Sequence, residues 1–207
     1  MTEQVDVEKT IASLKHHNIE ALRASDGDEC RKMVLDILPR DASIGMGGST
    51  TVRQIGLLDA LRARDYELHD QYEEGISAEE NQRRRRAGLT AQYYITGVNA
   101  VSEAGELFFL DGIGNRVAAV SYGPERVILV CGINKLVRDE AEAWKRIREK
   151  AAPLNAKRFG VDTPCVKTGV CCDCDAERRI CNIYVRIHRT MAPGRITLIL
   201  VDEDLGF

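Results

Sequence analysis

The sequence has no run of apolar residues approaching the roughly 18 needed to span a bilayer, so no transmembrane helix is expected and a membrane is not an expected partner. Its start, MTEQVDVEKTIASLKHHN, lacks the basic stretch and following apolar run of an export signal. It also lacks an excess of positive charge. The 29 Lys and Arg face 32 Asp and Glu, giving a net charge of −3 and a pI near 5.9. That balance removes the electrostatic argument for nucleic acid or an anionic membrane surface. No internal repeat and no low-complexity segment appears. The four histidines show no metal-ligand spacing, and His16 and His17 read as solvent-facing residues of an N-terminal helix. No Ser–His–Asp or Cys–His pattern stands out. The expected location is the cytoplasm, where thiols stay reduced, so clustered cysteines read as metal ligands or redox groups before disulfides.

What is present suits a folded α/β chain. The 207 residues are 44% hydrophobic and 29% charged, enough for a sizeable core. Residues 5–23 read as a helix with Ile11, Leu14 and Leu22 on one face. Cys30, Met33, Val34, Ile37 and Leu38 follow helical spacing, with Asp26 or Asp28 as cap and Pro39 as stop. Ala42–Met46 and Tyr66–Leu68 are strand candidates on either side of a helix carrying Val52, Ile55, Leu58 and Leu61. Ser77–Ala91 reads as a polar helix that opens on a capping box, Ser77 with Glu80. Its Arg83–Arg86 run reads as a solvated face, or else as an anion or partner contact. Short apolar runs follow at 93–96, 99–102, 107–110, 117–120 and 127–131, the segment 115–121 being equally compatible with a helix. Asp139–Lys150 is a helix with Ala141, Trp144 and Ile147 inward, and 153–159 extends it after a break. Segments 183–187 and 196–201 read as strands. Strands alternating with helices predict an α/β fold with a mostly parallel sheet flanked by helices, and ligands in such sheets sit beyond the carboxyl ends of the strands.

The strongest chemical signal lies in the loop at 161–182. Five of the seven cysteines fall within 17 residues, in PCVKTGVCCDC and RICN. Cys165, Cys171, Cys174 and Cys181 form the cleanest four-ligand set, with Cys172 a bystander or spare thiol. Thiolate sulfur suits an iron–sulfur cluster (a 4Fe-4S cluster takes four) or, alternatively, zinc, and the C-x5-C-x2-C-x6-C spacing does not choose between them. A metal-free, redox-responsive loop is the bland alternative. Cys30 and Cys131 sit on apolar positions and read as core residues.

Four further segments carry polar residues at strand ends. Gly47, Gly48, Ser49 and Thr50 follow a strand and open a helix, so their N–H groups are placed to cradle an anion. The turn is neither a Walker loop nor a dinucleotide fingerprint, and a plain tight turn with a Ser/Thr cap is the alternative. Asn99, Glu103, Asp111 and Asn115 lie in two Gly-rich stretches at 97–105 and 111–116, which read as ligand contacts or as ordinary turns. Lys135 follows a strand, positioned to bind an anion or to face solvent.

These blocks together resemble the lactate-utilization (LUD) domain family. The resemblance is carried by GMGGSTTVRQIGLLDAL at 45–61, TGVNAVSEAGELFFLDGIGNRVAAVSYGPERVILVCGINKLVRD at 96–139 and NAKR at 155–158. It continues through the two cysteine motifs and the terminal RITLILVDEDLGF. It implies a fold like the sugar-phosphate isomerase and CoA-transferase group, with residues 1–40 as an N-terminal helical segment and 41–207 as the LUD domain. It implies a role in lactate or other organic-acid utilization, a small anionic metabolite in a cleft, iron–sulfur or flavin redox proteins as partners, and a possible homo-oligomer. Ser102-Glu103-Ala104-Gly105 is similar to a CoA-transferase stretch whose Glu is a nucleophile, although Ala104 departs from it. The first reading is therefore a redox-associated protein with an Fe-S cluster and an anion cleft. A non-catalytic ligand-binding module with structural zinc is the second. An acyl- or sugar-phosphate-processing enzyme using Glu103 is the third.

Overall fold

The computed structural model describes residues 5–207. The chain opens with α1 (Val7–His16), capped by the Asp6 carboxylate accepting from the Lys9 N–H, and enters β1 (Glu20–Ala24). The helix expected to reach residue 23 stops earlier, because Asn18 takes a left-handed φ of 61° that ends the spiral. Residues 20–24 then bond to a strand instead. α2 (Gly27–Ile37) follows, capped by Asp26, with Cys30 and Val34 buried.

β2 (Ser43–Met46) runs into α3 (Thr50–Gln54), α4 (Leu57–Arg62) and the short β3 (Glu67–His69). α5 (Ala78–Ala87) has no fully buried residue and is capped by Ser77. β4 (Tyr93–Gly97), β5 (Ala100–Ser102) and β6 (Leu107–Asp111) come next. The ambiguous segment resolves as a helix, α6 (Asn115–Ser121), because the Asp111 carboxylate accepts from the Val117 N–H and Gly114 reaches a φ of 90° at its start. β7 (Arg126–Gly132) leads through a 3-10 turn to β8 (Leu136–Val137).

α7 (Glu140–Arg146) and α8 (Ala152–Arg158) form one continuous helix through a π turn at Ile147–Ala151. Pro153 explains the widening, since its ring would collide with the carbonyl four residues back in regular α geometry. The inward face of α7 begins at Ala143, and Ala141 is exposed. The cysteine segment, expected as loop throughout, contains one helical turn, α9 (Pro164–Thr168), ended by Gly169 at a φ of 79°. β9 (Ile183–Ile187) and β10 (Ile196–Val201) complete the chain.

Six strands form one all-parallel sheet in the order β1-β10-β7-β4-β2-β3, flanked by helices. β7 and β10 are buried almost throughout, as parallel strands covered on both faces must be. One face packs on α2, α3 and α4 through Val34, Val52, Leu57 and Leu61. The other packs on α1 and α6 through Leu14, Val117 and Val120. A second sheet, β8-β5-β6-β9, holds the antiparallel pairs and was not separable from the first by apolar runs alone. It closes its own core on α7, where Phe108 meets Trp144 edge to face at 5.2 Å. No helix among the described residues is long and apolar enough to cross a membrane.

A cation-rich cleft beside a cysteine loop

The chain leaves β2 for β3 on one side and returns to β4 on the other, so the sheet order reverses at β2. The carboxyl ends of β2, β4 and β7 therefore open a crevice between diverging loops. A cavity of about 330 Å³ lies there. Its walls come from the turn after β2, the loop after β4, the 111–116 turn, Lys135 after β7, and α8.

The glycine turn is dictated by close packing. A Cβ on Gly47 would fall 2.3 Å from the Thr96 hydroxyl, and one on Gly48 would fall 2.3 Å from that of Tyr72. Ser49 accepts from the Val52 N–H at 3.2 Å and so caps α3. Gly48, Ser49, Thr50 and Thr51 line the cavity, whereas Gly47 does not.

Charge is the cavity's defining property. Arg85, Arg116, Lys135, Arg158 and Arg178 line it, against a single acidic side chain, Asp111. Asp111 is already engaged: it accepts from Arg116 Nε at 3.4 Å and from the Gly112 N–H at 2.7 Å. Arg116 also donates to Asn99 Oδ1 and the Leu110 carbonyl, so it braces the walls. Arg158 donates to Asn155 at 3.0 Å and lies over the Phe159 ring; burial pushes its guanidinium below the ordinary value. Lys135 is 4% exposed and donates to the Thr51 hydroxyl at 2.7 Å. Burial lowers its amine to about 8, with Arg146 and Arg116 adding to the effect. Two buried polar atoms at this wall lack partners: Arg85 Nε, a donor, and Gln71 Oε1, an acceptor.

Of the residues singled out in the sequence, Gly48, Ser49, Thr50, Asn99, Asp111, Asn115 and Lys135 meet at this cavity. Glu103 is elsewhere. It sits in the turn between β5 and β6, ion-paired to Lys9 at 2.5 Å and accepting from the Asp6 N–H, so it ties down the start of α1. That pairing holds its carboxyl below the usual range. His17 is half-buried rather than solvent-facing, with Nδ1 3.2 Å from the Gly105 carbonyl and its ring against His188.

Sequence reading missed Arg158, Gln71 and Tyr72, and it offered Arg85 only within the Arg83–Arg86 run as an anion or partner contact against a solvated face. For Arg85 a signal existed. Glu80 pairs with Arg83 and Arg84, whereas the residue four before Arg85 is Asn81, which leaves that one arginine of the inner face without an acid. Nothing in the pattern around Gln71 and Tyr72 marks them.

The cysteine loop abuts the cleft. Cys165, Cys171, Cys174 and Cys181 line one small void of about 10 Å³, together with Cys172 and Arg179. Ile180 walls both this void and the cleft. Asn182 stitches them, its N–H donating to the Asp111 carbonyl and its side chain to that of Gly112. The loop is held to the helix in turn: the Cys171 N–H donates to the Arg148 carbonyl at 3.1 Å. That carbonyl is spare because the Ala152 N–H bonds to Ile147 in the π turn and Pro153 has no N–H. The Arg148 guanidinium lies near Cys171, Arg179 donates to the Cys174 and Cys181 carbonyls, and the Asp173 N–H points at Cys171 Sγ at 3.4 Å. Burial raises the Cys181 thiol, with Arg179 opposing. Among the described residues, no three His, Cys, Asp or Glu side chains are close enough to share a metal ion. Cys30 and Cys131 are core residues whose thiols burial pushes up to about 12 and about 11.

A parallel sheet flanked by helices, with a basic cavity over its strand ends and a thiol-rich loop against that cavity, defines an α/β protein of the Rossmann-like class. A family model described as the LUD domain matches residues 7–201, and the chain belongs to that family. Among solved structures, it is similar to the crystal structure of a DUF162 family protein from Deinococcus radiodurans. The TM-score is 0.55 and the identity 14%, over 94% of this chain and 95% of that one, a likeness of fold. No curated protein matches the sequence significantly.

Proposed function

We propose that this LUD-domain chain serves lactate or related organic-acid utilization, holding a small anionic metabolite in the cleft and an iron–sulfur cluster on the adjoining cysteine loop. The observation that carries the anion reading is the charge imbalance: five basic side chains around one cavity, and one carboxylate already neutralised by Arg116. Keeping such groups partly desolvated without counterions is costly unless an anion completes them. Arg85 Nε and Gln71 Oε1 would supply a donor and an acceptor to a hydroxy- or oxo-acid.

The fit of the loop to a thiolate-bound group rests on its donor chemistry. Five cysteines line one void, with the Arg148 and Arg179 guanidinium groups near Cys171 and Cys181 and the Asp173 N–H directed at the Cys171 sulfur, which suits a centre of net negative charge. Cys165, Cys171, Cys174 and Cys181 would hold it, and a cluster so held supplies one-electron transfer to an iron–sulfur or flavin partner. The void, about 10 Å³, has room for one atom, which favours zinc as the second reading, with the loop then purely structural.

Anaerobic purification with iron, sulfide and zinc analysis decides between them. Iron and sulfide in matching amounts, with broad visible absorbance, support the cluster. Zinc alone in a colourless protein replaces it, and absence of both rejects a metal. Titration calorimetry with lactate and pyruvate tests the cleft separately.

A further inference from the structure

Lys135 is the one amine in the cleft, and it differs from the guanidinium groups around it. Its Nζ is buried, and among the described residues no carboxylate pairs with it. Among the described residues its Nζ donates one hydrogen bond, to the Thr51 hydroxyl at 2.7 Å. The segment after β10 closes over it: a Cβ on Gly206 would lie 3.0 Å from Nζ and 2.4 Å from the Thr51 hydroxyl oxygen. A lysine serving only as an anion clamp gains nothing from such enclosure, since three-donor ammonium binding works best where the charge is easily kept. An amine held dry, beside other cations and tethered through one N–H to a hydroxyl, presents a nucleophilic lone pair.

We propose that Lys135 acts covalently on a carbonyl-bearing anion, its amine condensing with the carbonyl carbon of a 2-oxo acid whose carboxylate is held by Arg85 and Arg158. This rests on the anion reading of the cleft and adds a substrate class and a reaction to it. The nitrogen lone pair forms the C–N bond as the carbonyl π bond breaks. One proton passes from nitrogen to the oxygen, with the Thr51 hydroxyl in reach to relay it, and a second is taken up from solvent. Loss of water then leaves a protonated imine, and hydrolysis reverses the step and returns the proton. No oxidant or reductant is consumed. The enclosure that argues for this role also keeps the amine neutral more easily. An amine titrating near 8 holds on the order of a hundred times more free base at pH 7 than one at 10.5. An imine is an electron sink, suited to proton removal from the neighbouring carbon or loss of a carboxylate.

The test uses the full chain with glyoxylate, pyruvate and 2-oxoglutarate, each with sodium cyanoborohydride, followed by peptide mass spectrometry. The matching hydroxy acids serve as controls. The expected result is one reduced adduct on Lys135, at concentrations that leave surface lysines such as Lys9 and Lys167 unlabelled, and none with the hydroxy acids. Lys135→Arg keeps the charge but cannot form the imine, so the adduct on position 135 should be lost. Binding of these acids without an adduct, or an adduct spread over surface lysines only, overturns the covalent role and leaves the anion cleft standing. Absence of any binding to the wild-type chain overturns both.

Discussion

The cleft and the cysteine loop lie against one wall at Ile180, yet they are built by opposite means. The cleft hangs on the ends of β2, β4 and β7, strands bonded on both sides inside a six-stranded sheet. Of its five basic side chains Lys135 is fully buried and Arg85, Arg116 and Arg158 are partly so, and the one carboxylate among them, Asp111, answers Arg116. The loop hangs on few bonds, among them the Cys171 N–H to the Arg148 carbonyl and Asn182 to the 111–112 turn, and Arg179 spans it by donating to the Cys174 and Cys181 carbonyls while its own buried Nε has no partner among the described residues. A rigid frame can store the cost of uncompensated charge until a ligand arrives. A loop with few internal bonds opens at lower cost than the sheet that carries the cleft.

The sharpest break between the regions is expected from single cysteines. Cys174→Ser should abolish bound metal, and Cys172→Ser, at an exposed position, should retain it, with metal content per chain as the measurement. Equal loss in both would show that Cys172 is a ligand. Neither change should alter calorimetric binding in the cleft.

Next in size is Lys135→Met. The folded amine titrates near 8 against an ordinary 10.5, so between those values the unfolded chain binds more protons and stability rises with pH. Below about 8 the full penalty is present, on the order of 3 kcal/mol. The methionine variant should therefore be more stable than wild type at pH 7, and the gap should close as pH climbs from 8 to 10.5 in urea melts. A variant less stable at pH 7 would mean that Lys135 is not paying this desolvation cost.

Arg85→Ala comes third. Removing one charge-assisted donor should weaken binding of a 2-oxo or hydroxy acid roughly ten- to a hundredfold, with little change in melting temperature, because Arg85 Nε has no partner to lose. A fall in stability with unchanged affinity would make Arg85 a structural residue.

Much of this arrangement was legible in the sequence, for identifiable reasons. The turn at 47–50 and the polar residues at 99, 111, 115 and 135 follow strands, and strand ends in a parallel sheet converge. The proximity of the five cysteines that line one void was legible in their spacing, all within 17 residues. Arg158 and Gln71 were not, because they reach the cavity from α8 and from beyond β3, elements whose placement depends on strand order, which local periodicity does not encode. β1 was misread because Leu22 fits a helical face as well as a strand, and only the φ of Asn18 separates them.

Glu103 marks the limit of reading chemistry from a short motif, and it gives the smallest expected effect. The Ser102-Glu103-Ala104-Gly105 stretch offers a nucleophile by similarity, but Glu103 faces Lys9 and the Asp6 N–H, away from the lining of the cleft. Its partner Lys9 is mostly exposed, so water screens the pair. Glu103→Gln should lower the melting temperature by less than about 3 °C at pH 7. Because pairing lowers the folded carboxyl's pKa, the contribution is present above the ordinary Glu range and vanishes as pH falls through the lowered value. Wild type and variant should thus melt together in acid and separate slightly near neutrality, with identical anion binding at both. Loss of binding or of any turnover in Glu103→Gln would bring this carboxylate back into the chemistry and make the contact with α1 its resting state.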